Sequence, residues 1–185
     1  MDDVQTIDRP PICTPMSTTP KKNPNSRTNK PQSIFDEANE VWEAGNAVRA
    51  FSLFNAAASA GEFLAFNSVG YFLDHGIGVA KDSVEALSWY KRAARSGDPC
   101  AYSNIGLSYR NAGNMRLAKA WLRKAMECGD GDAALELAKL YLSNPAKRNR
   151  KLAWATLRLA RESESITEFG REECNTILQQ LSSAT

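Results

Sequence analysis

A pattern of small and apolar residues recurs in this chain every 32 to 36 residues, and its clearest copy covers residues 65–97. Two apolar stripes with i, i+3/i+4 spacing flank a short loop that contains Gly76 and Gly78. Stripes of this spacing on either side of a tight loop predict two amphipathic helices folded against each other. Gly76 and Gly97 stand where such helices would end. The chain is therefore predicted to be assembled from helix pairs.

Three glycines, Gly61, Gly97 and Gly129, mark the ends of successive copies at spacings of 36 and 32 residues. These periods fall within the range of helix-pair solenoids. An Ala-Gly-Asn triplet at 44–46 recurs at 112–114, an offset of 68 residues, which is two periods of 34. The sequence predicts four repeats, at 33–61, 62–97, 98–129 and 130–163.

The strongest copy reads aliphatic-Gly-x-x-Leu as far as Leu73, then Gly-x-Gly-Val as far as Val79, and ends in Trp-x-x-x-Ala-Ala-x-x-Gly from Trp89 to Gly97. This motif resembles the Sel-one-like repeat, a relative of the tetratricopeptide repeat. The resemblance extends over roughly 33–163, although two copies lack the Gly-x-Gly-Val extension and the last replaces it with a basic insert. It implies a right-handed α-solenoid of about four repeats and does not specify a function.

The chain is predicted to be all-α, because no sustained period-two alternation bounded by turns appears in the sequence. Stacked repeats leave an apolar face at each end of the stack, which a terminal element must cover. A helix at 165–182, within the segment 164–185, is predicted to be this C-terminal cap. Its predicted apolar side consists of Ile166, Phe169, Ile177, Leu178 and Leu181.

The first 32 residues are predicted to form a disordered tail, since they hold six of the eight prolines among Ser, Thr, Asn, Lys and Arg. Such a composition buries too little apolar surface to offset the entropy of ordering. No apolar stretch precedes Cys13, so neither a secretory nor a lipoprotein signal is predicted. A cytoplasmic protein without a membrane span is the expectation.

The net charge of +2 indicates no general attraction to nucleic acid. Its distribution is uneven, because 33–62 and 162–185 each carry a net charge of −4 while 110–161 carries +8. A predicted loop in the fourth repeat holds a basic patch. This patch consists of Lys147, Arg148, Arg150 and Lys151. It is either a docking site for an acidic partner or nucleic acid, or a solvated connection, and the absence of interleaved aromatics favours the solvated connection.

No paired carboxylates, serine–histidine arrangement, phosphate-binding loop or metal-ligand spacing can be assembled from the sequence. The four cysteines lack Cys-x-x-Cys spacing, and the single histidine, His75, is predicted to be solvated beside a turn. Cysteine-rich relatives of the repeat family join the helices of a repeat by a disulfide. Cys100 and Cys128 could pair in this way, but reduced thiols are favoured because the other repeats have no such pair. The chain is predicted to be no enzyme and to hold no cofactor or metal.

The surface predicted to bind a partner is the concave one, which the first helix of each repeat lines in tetratricopeptide-like folds. Residues at set offsets from the small packing positions Ala38, Gly70, Gly106 and Ala138 are expected to face it. The predicted partner-binding residues are Asn39, Trp42, Asn67, Tyr71, Asp74, Ser103, Leu107, Arg110, Asn111 and Lys139.

These residue types suit recognition of an extended peptide. Asparagine amides can bond both the N–H and the C=O of a peptide unit, and Asn occupies similar offsets in related peptide-binding repeats. Trp42 and Tyr71 offer aromatic contact area, and Arg110 can pair with a carboxylate. The alternative for both aromatic residues is packing against a neighbouring helix, since large aromatics are commonly core.

The leading functional prediction is a non-enzymatic adaptor that binds a peptide or domain of another protein in its groove. The alternative is a bacterial immunity-type or regulatory inhibitor that binds a toxin or enzyme by charge complementarity. A third, weaker interpretation is an exported repeat protein whose tail serves as an address.

Overall fold

The structure is a computed structural model that describes residues 33–144 and 146–183. Over those residues it contains nine α-helices and no strand. The predicted N-terminal tail, residues 1–32, lies outside the described residues. The helices are α1 (Ile34–Glu43), α2 (Ala47–Ser59), α3 (Ala65–His75), α4 (Ser83–Arg95), α5 (Cys100–Asn111), α6 (Met115–Glu127), α7 (Gly131–Leu142), α8 (Lys147–Glu162) and α9 (Glu168–Ser183).

Each helix packs mainly on the helices next to it in the chain, and the tightest pairs are α1 with α2, α3 with α4, α5 with α6, and α7 with α8. The final helix, α9, packs on α8 and more lightly on α7. This order of contacts is that of a stack of helix hairpins, and it confirms the all-α repeat solenoid. Each of the predicted ranges 33–61, 62–97, 98–129 and 130–163 holds one helix pair.

Side-chain caps explain where the helices begin. Ser33 Oγ accepts a hydrogen bond from the Asp36 N–H at 3.0 Å, and Asp82 Oδ1 accepts from two N–H groups of the first turn of α4. Asn46 and Asn114, the last residues of the two Ala-Gly-Asn triplets, cap α2 and α6 in the same way. Each cap satisfies a backbone donor that the helix itself leaves unpaired. The recurrence of the triplet is therefore a recurrence of helix N-caps.

Helices within a repeat approach closely where the first helix has glycine. A Cβ built on Gly70 would lie 2.7 Å from ring carbons of Tyr90, and one built on Gly106 would lie 2.7 Å from Cγ of Leu122. Tyr90 and Leu122 are fully buried large side chains. The glycines therefore make room for a large residue on the partner helix, which agrees with their use as small packing positions in the sequence analysis.

The basic run that the sequence analysis assigned to a loop is helical, so that prediction was wrong. Helix α8 begins at Lys147, and the Ala146 carbonyl accepts hydrogen bonds from the N–H groups of Asn149 and Arg150. Lys and Arg are good helix formers. Because buried Ala153 and Leu157 continue the same helix, their packing extends the helical segment back through the basic residues.

The cap helix is present, but one residue of its predicted apolar side is misplaced. Its buried stripe runs through Gly170, Cys174 and Leu178, with Ile166 buried just before the helix. Phe169 precedes Gly170 by one residue, so it lies about 100° around the helix from that stripe. Its side chain is 76% exposed. None of the described helices combines the length and apolarity needed to cross a bilayer.

Candidate protein-interaction face

Helices α3, α5, α7 and α9 touch one another through side chains, although α4, α6 and α8 separate them in sequence. Asn104 on α5 donates a hydrogen bond to Asn67 on α3. Farther along, α5 pairs with α7 and α7 pairs with α9 through charged side chains. These helices therefore lie side by side on one face of the stack. We call this surface the odd-helix face and define it by Asn67, Asn104, Leu107, Arg110, Glu136, Lys139 and Glu173.

The two asparagines hold each other through one amide hydrogen bond of 2.9 Å, from Asn104 Nδ2 to Asn67 Oδ1. Both side chains are half-buried. Each primary amide has a donor group and an acceptor oxygen, so the pair keeps Asn67 Nδ2 and Asn104 Oδ1 for a further partner. If both amides were turned over, the pair would still present one donor and one acceptor.

A row of alternating charges continues the face from α5 to α9. Glu136 receives a hydrogen-bonded ion pair from Arg110, and Lys139 Nζ lies 3.0 Å from Glu136 Oε1 and 2.7 Å from Glu173 Oε2. Burial lowers the pKa of Lys139, but its hydrogen bonds to Glu173 and Glu136 outweigh burial and raise that pKa above its usual value. Two cations thus share two carboxylates in a half-buried row.

The charged row should contribute measurably to stability. We expect Glu136→Gln to lower the free energy of unfolding by about 1 kcal/mol, because it leaves Arg110 and Lys139 without a shared carboxylate. Glu162→Gln is the matched control, since the partners of exposed Glu162 among the described residues are Arg158 and Arg161, at 3.9 and 3.8 Å. The control should change stability by less than about 0.5 kcal/mol. Urea unfolding followed by helical circular dichroism measures both, and equal losses would contradict the predicted role of Glu136.

Of the predicted partner-binding residues, Asn67, Leu107, Arg110 and Lys139 lie on the odd-helix face. Arg110 already pairs with the Glu136 carboxylate within the chain. Leu107 is half-buried and lies between Asn104 and Arg110 along the same side of α5. The predicted Asn111 accepts hydrogen bonds from Arg110 through its Oδ1, at 3.4 Å from Nε.

The remaining predicted residues make local contacts. Trp42 places the edge of its ring on buried Phe72 at a centroid distance of 4.9 Å, which is the packing alternative. Tyr71 stacks on His75 at 4.1 Å. Asp74 Oδ1 accepts a hydrogen bond from the Ser83 hydroxyl at 2.9 Å, at the start of α4.

Two further predicted residues bond to backbone within their own helix. The Asn39 amide donates to the Phe35 carbonyl at 2.9 Å, and the Ser103 hydroxyl donates to the Cys100 carbonyl at 3.0 Å. These bonds hold each side chain along its helix. Asn39 keeps its amide oxygen for another donor, because only its nitrogen is used in this bond.

The predicted basic patch lies on the first turn of α8. Lys147, Arg148 and Lys151 are exposed, and no carboxylate of the described residues lies within ion-pair distance of them. Arg150 is half-buried and donates to the Leu181 carbonyl of α9 at 2.7 Å. One of the four cations therefore helps to hold the cap helix.

The sequence analysis missed Asn104, Glu136 and Glu173. Glu136 precedes Lys139 by three residues, which is a sequence signal for a helical ion pair. Asn104 lies 37 residues from its partner Asn67, and Glu173 lies 34 residues from Lys139. Contacts across a full repeat leave no local pattern, so these two residues could be found only after the helices had been stacked.

Nothing in the described part of the chain brings together three His, Cys, Asp or Glu side chains that could hold a metal. Among the described residues, Cys128 and Cys174 are free thiols, and no disulfide joins Cys100 to Cys128. Burial raises the pKa of Cys100 to about 11, with nearby Asp130 adding to the effect. A thiol with this pKa is almost fully protonated at neutral pH and is a poor nucleophile.

Comparison with known proteins agrees with the helix pairing. The sequence profile of the Sel1 repeat family matches residues 43–62, 65–98 and 105–130. Among curated proteins, the Sel1-repeat-containing protein YjcO of Escherichia coli is 38% identical over 66 residues. That alignment covers 36% of this chain and 28% of YjcO, so the chain matches little more than a quarter of the relative's length.

Solved structures give the same result over more of the chain. A Sel1 repeat protein from Oxalobacter formigenes superposes with a TM-score of 0.65 and 26% identity, covering 80% of this chain and 59% of that protein. A protective antigen of uropathogenic Escherichia coli with an SLR fold gives a TM-score of 0.61 and 25% identity, covering 69% and 29%. The chain therefore contains three stretches that match the Sel1 repeat, and its helices are arranged as in solved Sel1 repeat proteins.

Proposed function

We propose that this protein is a non-enzymatic interaction scaffold that binds an extended segment of another protein across its odd-helix face. The Sel1 repeat fold is generally a protein–protein interaction scaffold, and the family is typically non-enzymatic. The observation that carries the proposal is the hydrogen-bonded pair of Asn67 and Asn104 between α3 and α5.

This pair matches the needs of a peptide backbone. Each unit of an extended peptide brings an N–H donor and a C=O acceptor, and both lose water when a partner covers them. The asparagine pair keeps one donor and one acceptor side by side, so it can replace both lost hydrogen bonds. Recognition of this kind depends on the backbone of the segment and tolerates different side chains.

The pair is also held in place before binding. Each asparagine is half-buried on a separate helix, and their mutual hydrogen bond restrains both side chains. A site that is already ordered loses less side-chain entropy when a ligand binds. The neighbouring row of Arg110, Glu136 and Lys139 carries both signs of charge, so it would select among side chains of the segment instead of attracting one sign of charge.

The test is affinity capture from native lysate with the full chain, followed by binding measurements with the captured partner. The double variant Asn67→Ala with Asn104→Ala should weaken binding by about tenfold or more, because two backbone hydrogen bonds are lost. Asn55→Ala is the matched control, since Asn55 is an exposed asparagine on α2, away from the odd-helix face. It should leave binding unchanged.

Two results would contradict this proposal. One is equal binding by the double variant and the Asn55→Ala control, with both proteins folded by circular dichroism. The other is a partner whose binding falls steeply with salt and ignores the asparagine pair, which would favour the inhibitor that acts by charge complementarity.

A further inference from the structure

A cluster of aromatic rings and a cation lies between the helices of the second repeat, and we call it the first aromatic box. The rings of Phe66 on α3 and Trp89 on α4 are 5.8 Å apart, and the Arg92 guanidinium lies 4.5 and 4.1 Å from their centroids. Trp89 Nε1 donates a hydrogen bond of 3.2 Å to Glu85, one helical turn earlier. This box therefore contains its own carboxylate.

The third repeat carries the same cluster without the carboxylate, and we call it the second aromatic box. Tyr102 on α5 and Trp121 on α6 are also 5.8 Å apart, and Lys124 Nζ lies 5.3 and 4.9 Å from their centroids. The residue one turn before Trp121 is Leu117. Within the described residues, the Trp121 indole N–H has no acceptor, because its repeat lacks a counterpart of Glu85.

The second box opens into a cleft of about 270 Å³ that reaches α4. The cleft is lined by Lys91, Ala94, Arg95, Tyr102, Trp121 and Lys124. Its three cations have no carboxylate within 4.0 Å among the residues that the structure describes. Over 83–127, which spans α4 to α6, eight basic residues stand against three acidic ones. The cleft is thus lined by three cations without a carboxylate partner and by Trp121, whose indole N–H has no acceptor among the described residues.

We propose that this cleft binds a carboxylate side chain from an acidic segment of a partner protein. The carboxylate would stand beside Trp121 as Glu85 stands beside Trp89, accepting a hydrogen bond from the indole N–H and pairing with Lys124. Hydrogen bonds to a carboxylate from charged donors are roughly twice as strong as neutral ones. The inference is independent of the odd-helix face, because it uses different residues and a different kind of contact.

The same geometry argues against a nucleobase as occupant. A stacked base needs an open ring face of a large aromatic side chain. Lys124 lies over both rings of the second box, so a cation already covers those faces. A small anion that approaches the ammonium and the indole N–H fits this arrangement better than a planar base.

Fluorescence anisotropy of a labelled oligoglutamate peptide with the full chain tests the proposal. Lys124→Gln should weaken binding by about tenfold, because the peptide carboxylate in the cleft loses its charge-assisted hydrogen bond to Lys124. Arg116→Gln removes the same charge from an exposed site on the same helix, outside the cleft, and should change binding by less than about twofold. Equal losses in the two variants would overturn the proposal, since they would show attraction to net charge alone.

A reciprocal exchange between the two boxes gives a sharper test. Leu117→Glu puts a carboxylate one turn before Trp121 and should abolish peptide binding in the second box. Glu85→Leu removes the carboxylate of the first box and should add a second binding site there.

Two further results would overturn the proposal. One is a Glu85→Leu variant that gains no second peptide-binding site. The other is an RNA oligonucleotide that binds more tightly than the peptide and depends on Lys124. Because Leu117 is half-buried, Lys124→Gln and Glu85→Leu decide the matter if Leu117→Glu does not fold.

Discussion

Gly78→Ala is expected to lower the free energy of unfolding by about 3 kcal/mol or more. Gly78 has φ +65°, a conformation that costs an L side chain about 1 kcal/mol or more. A Cβ there would lie 2.6 Å from the Ala47 carbonyl carbon and oxygen and 2.7 Å from the Val48 nitrogen. These are backbone atoms of the first turn of α2, so the new methyl group can be accommodated only by moving a helix.

Gly97→Ala separates the two causes of this loss. Gly97 has φ +89°, but a Cβ there would meet no atom within 4 Å. Its replacement should therefore cost only the conformational strain, about 1 kcal/mol. Urea unfolding of both variants, followed by circular dichroism, compares them directly. Equal losses would mean that the contact between the loop and α2 is not tight.

The second large effect is a coupling between Gly106 and Leu122. Leu122→Ala should cost about 3 kcal/mol, because it empties a fully buried site. Gly106→Ala should cost about 1 to 2 kcal/mol, since the overpacking against Leu122 exceeds the gain in helix propensity. The double variant should be about as stable as Leu122→Ala alone, because the added methyl then enters the space that the leucine has left.

The control for this cycle is Gly106→Ala combined with Leu157→Ala. Leu157 is equally buried but lies on α8, in the following repeat, and α8 packs mainly on α7 and α9 rather than on α5. Effects at separate, non-contacting sites add within about 0.5 kcal/mol. Non-additivity in the control, or simple additivity for Gly106 with Leu122, would contradict the close packing between α5 and α6.

The parts of the fold that depend on neighbours in sequence could be predicted. The helix starts at Ser33, Asn46 and Asp82 follow from side chains that cap the first turn of each helix. The close packing of the two helices within a repeat follows from Gly70 and Gly106. The basic run of α8 is helical because Lys and Arg are good helix formers and the buried residues after them continue the helix, which the run of charge alone does not indicate. Phe169 directly precedes the apolar stripe in sequence, but one step along a helix turns its side chain out of the core.

The candidate face was predictable only in outline. The offsets from the small packing positions found Asn67, Arg110 and Lys139, because these offsets describe one side of one helix. The same offsets could not show that Asn104, Glu136 and Glu173 come from the next helices of the face to meet them. Whether a polar side chain is available to a partner depends on such contacts, and they join residues more than thirty positions apart or on different helices.

The contact of Gly78 with α2 gives the array a polarity. The loop between α3 and α4 rests on the first turn of the helix that ends the preceding repeat, so the unit at 62–97 requires a unit before it. In the unit at 98–129, a Cβ on Gly113 in the corresponding loop would meet no atom within 4 Å, so this glycine makes no comparable contact with α4. If the second unit opened an array, the loop surface around Gly78 that now contacts α2 would be exposed, so the order of the units decides whether this surface is buried.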